Sequence, residues 1–211
     1  NVAGDDPAAY WSIVKFLRIQ RGGNSQKAML GLFAKVLKTQ LGLTMDDCRT
    51  DDGPFFYLDD ALFTGNRLLS DFRVWLADGA PKKATVHAIA IACHTGGWLY
   101  AHKNVGKAAV ANGKTIDLTG QACIHLANDW PEKDKSDVLW PTALPDDPDV
   151  AAYVEMLKAA GYPPQLRTPG HVGGRGIFSS DAGRQVLEQQ FLKYGVQIRK
   201  VCPHLNEYMR P

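Results

Sequence analysis

Two adjacent carboxylates followed by a hydroxyl and a glycine are the residues best suited to chemistry in this chain. Asp59 and Asp60 follow the apolar residues 55–58, and Thr64 and Gly65 come shortly after. The apolar run predicts a short buried strand that ends at the acids, and a helical pattern follows the glycine. Gly65 lets the backbone approach an anion, and amide groups at a helix start point toward it. Because paired carboxylates can accept hydrogen bonds from two ribose hydroxyls, the layout predicts a site for a phosphorylated sugar at the carboxyl edge of a sheet.

The same stretch resembles the signature of the type I phosphoribosyltransferases, which is an apolar strand, two acids and a Thr-Gly turn. The resemblance implies that Asp59 and Asp60 hold the ribose hydroxyls of phosphoribosyl pyrophosphate, with Mg²⁺ bridged by the substrate. It also implies a 5′-phosphate loop made of Leu62, Phe63, Thr64, Gly65, Asn66 and Arg67. Phe63 and Arg67 stand where the family carries hydroxyl residues. Arg67 can replace a hydroxyl contact with a charge-assisted one.

Beyond this motif, the sequence resembles the phosphoribosyltransferase-like proteins of bacterial anti-phage defence loci, some of them associated with retrons. Three segments carry this resemblance, at residues 56–67, 23–26 and 184–195. It implies a toxic effector that transfers or removes a ribosyl group. It also implies protein partners in a defence complex, such as an ATPase or a reverse transcriptase.

A second glycine-rich turn precedes the clearest helical pattern in the sequence. It consists of Arg21, Gly22, Gly23, Asn24 and Ser25, with Ser25 as the expected N-cap. A helix start of this kind binds anions, so the turn is a candidate for the pyrophosphate half of the substrate. The alternative is an ordinary glycine-rich connection with a good cap.

His94 follows a run of small apolar residues, Ala84 to Cys93, that predicts a strand covered on both faces. If this strand is a parallel neighbour of the first, His94 lies at the same sheet edge as the two acids. It is then a candidate general acid or base. The alternative is a histidine that caps the next helix.

Composition excludes several classes of protein. The net charge of +2 over 211 residues gives no electrostatic case for direct nucleic-acid binding. Four cysteines without a Cys-x-x-Cys pair argue against a zinc or redox motif and favour reduced core residues. No apolar run reaches the roughly 20 residues that span a bilayer, and no signal peptide is recognisable, so we expect a cytoplasmic protein with no membrane contact.

The predicted fold is α/β, with a mainly parallel sheet flanked by helices in a single domain over residues 1–211. The predicted additions are a long irregular insertion at about 128–148, rich in Asp, Lys and Pro, and C-terminal helices. Further expected elements are helices at 7–17 and 149–160, a helix that Ser179 caps and Gly195 ends, and strands at 116–118, 122–126 and 196–201.

Two segments outside the predicted site leave alternatives open. The glycine-rich basic loop at 168–176 could close over phosphates, or it is a tolerant surface loop without fixed motif spacing. Trp130 and Trp140 in the insertion could form a surface for a partner, or they could pack that loop.

Three functional classes remain open from sequence. The first is an enzyme that moves a phosphoribosyl group onto or off a base, a nucleotide or a macromolecule. The second is a binding module that keeps the pocket and senses a nucleotide without chemistry. The third is a structural subunit of a defence complex.

Overall fold

The computed structural model describes residues 4–48, 53–128 and 132–202, and it divides the chain into two compact units, residues 1–125 and 126–211. The single domain predicted over residues 1–211 stays a prediction. The secondary-structure elements are, in order, α1 (Pro7–Ser12), β1 (Lys15–Phe16), α2 (Ser25–Leu41), β2 (Phe55–Leu62), α3 (Asn66–Asp78), β3 (Lys83–His94), α4 (Thr95–Ala111), β4 (Thr115–Leu126), a 3₁₀ turn (Lys133–Lys135), α5 (Pro148–Ala159) and α6 (Asp181–Val201).

A four-stranded parallel sheet organises the first unit, in the order β1-β2-β3-β4. The pairs β1–β2 and β2–β3 are parallel. β4 runs in the same direction as β3. The Thr115 amide at the start of β4 donates to the Lys82 carbonyl oxygen, and four residues further along β4 the Thr119 hydroxyl lies 2.6 Å from His87 Nδ1, so both strands advance together. The predicted α/β fold with a mainly parallel sheet is therefore confirmed.

Apolar residues cover both faces of the central strand β2, which explains why its sequence shows no polar alternation. Phe55 and Tyr57 pack into the larger core, together with residues of α3, α4 and β3. Phe56 faces the other way, into a core with Val14 and Leu37 of α2. The strand is thus held between two helical layers.

The pairing of β2 with β3 sets the position of the candidate site. Leu62, the last residue of β2, lies opposite Cys93 of β3. The loop after β2 and the start of α4 after His94 therefore leave the sheet side by side at its carboxyl edge. This is the edge where open α/β sheets bind ligands.

Several predicted boundaries are wrong, each for a physical reason. β2 does not end at the acids but continues to Leu62, because Ala61 and Leu62 pair with Ala92 and Cys93. The helix predicted at 7–17 stops at Ser12. Residues 15–16 form β1 instead, because the amides of Lys15 and Leu17 donate to the carbonyl oxygens of Pro54 and Phe56 at the start of β2.

The other differences concern the second half of the chain. The strands predicted at 116–118 and 122–126 are one strand, β4. Gly195 does not end the last helix and residues 196–201 form no strand, because the apolar helical pattern continues past the glycine and α6 runs on to Val201. Ser180, rather than Ser179, caps α6 by accepting a hydrogen bond from the Gly183 amide.

The second unit contains the predicted irregular stretch and the predicted C-terminal helices. Between β4 and α5 the described residues form only the short 3₁₀ turn. Helices α5 and α6 pack through Val150, Val154 and Val196. Trp140 is half-buried and its indole donates to Asn128 Oδ1 at 3.0 Å, which fits the packing alternative, whereas Trp130 lies outside the described residues. Within the described ranges, no helix is long and apolar enough to cross a bilayer.

Candidate functional site

Asp59 is the acid that the fold buries. It is 6% exposed, and Tyr57 lies on the same face of β2, two residues earlier. The Tyr57 hydroxyl is 3.1 Å from Asp59 Oδ2, and the other carboxylate oxygen accepts from the Asp60 amide at 3.0 Å. Both oxygens are therefore anchored, and the carboxylate is held in a fixed orientation.

Asp60 does not share the surroundings of Asp59. Successive side chains of a strand point to opposite faces, and Asp60 is exposed. One of its carboxylate oxygens accepts from the backbone amide of Ala61 at 2.7 Å. The two predicted ribose ligands are therefore neighbours in sequence, but their side chains do not point into the same cavity.

Asp59 lines a cavity of about 120 Å³ on the α4 side of the sheet. Tyr57 and Ala90 form its floor, and Trp98 of α4 forms one wall. Polar atoms reach it from Gln121 and His125 of β4. A mainly apolar cavity with a few polar groups is the usual form of a small-molecule site. Sequence reasoning missed Trp98, Gln121 and His125.

The predicted phosphate loop lies at the carboxyl end of β2, directly before α3. Leu62 is buried in the core, while the Phe63 side chain is 56% exposed and leaves the turn unblocked. Thr64 Oγ1 accepts from the Asn66 amide at 3.3 Å, and Gly65 is the N-cap with φ of 75°. The Thr64 hydroxyl takes the amide of Asn66, the first residue of α3, while the glycine cap itself offers no side-chain oxygen, so the amides that follow Asn66 in the first turn are the ones suited to an anion.

Two glycines allow this loop to cross the first turn of α4. A Cβ atom at Gly97 would lie 1.7 Å from the Phe63 carbonyl oxygen, and one at Gly65 would lie 2.2 Å from the Gly97 carbonyl oxygen. Neither backbone can give way to a side chain without moving the other. The position of the loop is therefore set by direct backbone packing against α4.

The two predicted loops meet through Arg67. Its Nη1 donates to the carbonyl oxygen of Gly22 at 2.9 Å, which joins the start of α3 to the 21–25 turn. The Arg21 amide lies 3.4 Å from Asp71 Oδ1 of α3, a second link between the same elements. Arg67 therefore acts here as a tether between loops, in addition to being a cation beside the candidate phosphate site.

A pair of glutamines fixes the 21–25 turn from behind. Gln26 Oε1 accepts from the amides of Ile19 and Gln20, while Gln20 Oε1 accepts from the Gln26 amide. Ser25 accepts from the Gln20 side chain at 2.9 Å rather than capping α2, and Asn24 holds the N-cap position without a side-chain hydrogen bond. Gly23 has φ of 82°, a left-handed conformation that suits glycine.

A groove of about 590 Å³ opens beside this turn, and two cations, Arg18 and Lys27, lie along it together with Asn24 and Gln26. The Nε2 atom of Gln26 is buried and has no hydrogen-bond partner among the described residues. A buried donor without an acceptor is costly, so an oxygen-bearing ligand at this point would satisfy it. Gln26 belongs to the segment 23–26 that carries the family resemblance, but the sequence alone predicted no role for its side chain.

His94 takes the structural role that was the alternative to catalysis. It is the N-cap of α4, and its Nδ1 accepts from the Gly97 amide at 3.3 Å. Since a neutral imidazole has one donor and one acceptor nitrogen, this bond leaves Nε2 as the ring atom that could face a ligand. His94 does lie at the same sheet edge as the loop after β2.

Asp71 is a charged residue close to Asp59 that sequence reasoning missed. The Tyr57 hydroxyl is 3.2 Å from Asp71 Oδ2, so one phenol bridges Asp59 and Asp71. Burial raises the pKa of Asp71, although the Arg21 amide and the Tyr57 hydroxyl act against that rise. Burial also raises the pKa of Tyr57, and both carboxylates add to the effect, so the phenol keeps its proton.

The glycine-rich loop at 168–176 is tied down within the second unit. The amides of Gly170, Gly174 and Arg175 donate to Asp181, Lys135 and Asp137. Arg167 donates to the carbonyls of Thr168 and His171. These amides are already used inside the protein, which disfavours the phosphate-closing alternative for this loop.

Comparison with known proteins agrees with this geometry. A model of the PRTase-CE family, a phosphoribosyltransferase-like family, matches residues 1–206 and so spans both units. No curated protein matches the chain, and no solved structure matches it. The family match, the parallel sheet and the loop between β2 and α3 lead to one conclusion: the chain belongs to the PRTase-CE family of phosphoribosyltransferase-like proteins.

Proposed function

We propose that this protein binds phosphoribosyl pyrophosphate, or a related ribose phosphate, at the carboxyl edge of its sheet and transfers or removes the ribosyl group. The observation that carries the proposal is the hydrogen bond between Arg67 and Gly22, because it joins the two candidate anion loops around one edge. A substrate with a phosphate at each end needs two such loops at a fixed separation.

Each loop has a distinct role in this proposal. The loop from Leu62 to Arg67 receives the 5′-phosphate on the first amides of α3. The 21–25 turn receives the pyrophosphate, with Arg18 and Lys27 of the adjoining groove as its counter-charges. Gln26 Nε2 then gains the acceptor that it lacks within the described chain.

Asp59 orients the ribose by accepting from a hydroxyl, because its carboxylate is fixed by Tyr57 and lines the cavity. In the transfer, the bond from the ribosyl carbon to a pyrophosphate oxygen breaks and its electron pair leaves with pyrophosphate. The acceptor forms the new bond and releases its proton to solvent. Such a reaction depends on orientation and charge stabilisation more than on a protein nucleophile.

Asp60 is the residue that would hold a magnesium ion in this proposal. Among the described residues, no group of three or more His, Cys, Asp or Glu side chains could hold a metal ion. Asp60 is exposed near the carboxyl end of β2 and would offer the carboxylate oxygens that Mg²⁺ prefers. A magnesium ion held there would neutralise negative charge on the pyrophosphate.

The biological setting that we propose is anti-phage defence, with the protein as a toxic effector in the cytoplasm. This part rests on the resemblance of residues 56–67, 23–26 and 184–195 to retron-associated proteins. The proposed partners are proteins of the same defence complex, such as an ATPase or a reverse transcriptase.

One observation favours a second candidate function, a nucleotide sensor without catalysis. His94 spends Nδ1 on capping α4, and Asp60 lies outside the cavity of Asp59. Apart from His125, the residues that line the cavity give Asp59 no partner for acid–base chemistry. Under this alternative the ligand binds at the same loops and stays intact.

Thermal shift with phosphoribosyl pyrophosphate and magnesium tests the proposal. We expect a shift that Asp59→Asn with Asp60→Asn abolishes while folding stays intact, and that Asp78→Asn, an exposed acid at the end of α3, leaves unchanged. Release of pyrophosphate then separates the enzyme from the sensor. Absence of any shift with the intact protein would contradict both and favour a structural subunit.

A further inference from the structure

Helix α6 carries an exposed apolar stripe on the side opposite its core contacts. Its members recur at spacings of four, three, four and three residues, so that they form one line along four turns. We call them the α6 stripe: Leu187, Phe191, Tyr194, Ile198 and Val201, each between 45% and 82% exposed.

The core of the second unit does not use this stripe. Val196 and Leu192 of α6 point to α5, with Val150 and Val154 across from them. On a helical wheel the α6 stripe is centred about 160° away from those residues. Five large apolar side chains in one line are more than the scattered exposed residues that a protein surface normally carries.

The spacing of the α6 stripe is that of a coiled-coil seam. Alternating intervals of three and four residues average 3.5, which lets two helices supercoil and interlock their side chains. A sequence with this repeat is complementary to itself. The occupant that fits it best is therefore the same helix from a second copy of the chain.

The residues that flank the α6 stripe favour a second copy. Gln190 and Gln197 lie along one side and Gly195 along the other. None carries a charge, so two identical helices meet without like-charge repulsion. Glu188, the acid nearest the seam, is fully buried and paired with Arg167 and Arg184. The cations Lys193 and Lys200 point away from the α6 stripe and form ion pairs with Asp147 and Asp149 at the start of α5.

The area is sufficient for a dimer of modest affinity. The exposed parts of the five residues amount to about 600 Å² per copy, so two copies would bury at most roughly 1,200 Å², the lower limit of specific interfaces. Gly195 beside the seam allows the helices to approach closely. We propose that the α6 stripe is a homodimer interface, which pairs α6 of one copy with α6 of a second.

Sedimentation equilibrium of the full 211-residue chain from low to high micromolar concentration tests this proposal. We expect a monomer–dimer equilibrium. Phe191→Glu with Ile198→Glu places two like charges on each side of the seam, and we expect at least a tenfold weakening, to monomer across the range.

The matched control is Val186→Glu, which makes the same kind of change at an exposed apolar residue of α6 about 100° away from the seam. It should dimerise like the unchanged chain, and circular dichroism should show equal helix content in all three proteins. A chain that stays monomeric at the highest concentration overturns the proposal. So does a dimer that survives the double substitution, or one that Val186→Glu disrupts equally.

Discussion

Gly97→Ala is the sharpest test of how the candidate phosphate loop is held. The added Cβ would lie 1.7 Å from the Phe63 carbonyl oxygen and 2.6 Å from its carbonyl carbon, whereas ordinary contact begins at 3.4 Å. The loop must therefore move by about 1.7 Å, or α4 must shift by the same amount. Both neighbours are backbone, so no side-chain rotation relieves the clash.

The expected cost follows from this geometry. Overpacking of this kind destabilises by about 1–3 kcal/mol. For a chain of this size, each kcal/mol lowers the melting temperature by roughly 2–4 °C. Gly106→Ala is the matched control on the same helix, because a Cβ there meets nothing within 4 Å. It should stabilise the protein by about 0.5–1 kcal/mol, the gain of alanine over glycine in a helix interior.

Differential scanning calorimetry measures the change in stability, and isothermal titration calorimetry with phosphoribosyl pyrophosphate and magnesium measures the change in ligand affinity. Because a misplacement of about 1 Å can cost roughly 100-fold at a site that depends on positioning, we expect Gly97→Ala to weaken binding by about that factor. The reasoning is refuted if Gly97→Ala melts as high as Gly106→Ala and binds the ligand equally well.

Two further predictions concern buried charges. Glu188→Gln should destabilise the protein by about 3–5 kcal/mol in denaturant unfolding, because it leaves Arg184 buried without its counter-charge and leaves Arg167 with Asp181 alone, whereas Glu155→Gln at an exposed pair should change little. Equal effects would contradict this. Burial raises the pKa of Asp71, so its contribution to stability is complete below its unfolded pKa and is lost as the pH rises through the folded one. Asp71→Asn should therefore gain stability relative to the unchanged protein as the pH rises above about 4, the ordinary pKa of an aspartate; a difference that is constant with pH would argue against a raised pKa.

The sequence was sufficient to predict the sheet and the loop at its edge because both depend on local pattern. The apolar run before Asp59 and the small apolar run before His94 each predicted a strand, and Gly65 predicted the start of α3. The alternation of a strand would also have predicted that Asp59 and Asp60 point to opposite faces of the sheet. This was not predicted because β2 was expected to end at the two acids.

The rest depended on contacts between residues far apart in the chain. Asp71 reads in sequence as a helix-surface acid, and only the packing of α3 on β2 brings it to Tyr57. The bond from Arg67 to Gly22 joins residues 45 positions apart, which no local pattern encodes. The continuation of α6 past Gly195 was missed because a lone glycine is a weak stop when the apolar period continues beyond it.

The phenol between two buried acids has a consequence for proton counting. Tyr57 brings one hydroxyl hydrogen to two carboxylate oxygens, at 3.1 and 3.2 Å, so only one of these contacts can use it at a time. The other contact needs a second hydrogen, and Asp71, whose pKa burial raises, is the residue placed to supply it. When Asp71 takes up a proton, which burial favours at a higher pH than for an exposed aspartate, a chain of O–H donors runs from α3 toward Asp59, and this part of the interior carries one negative charge instead of two.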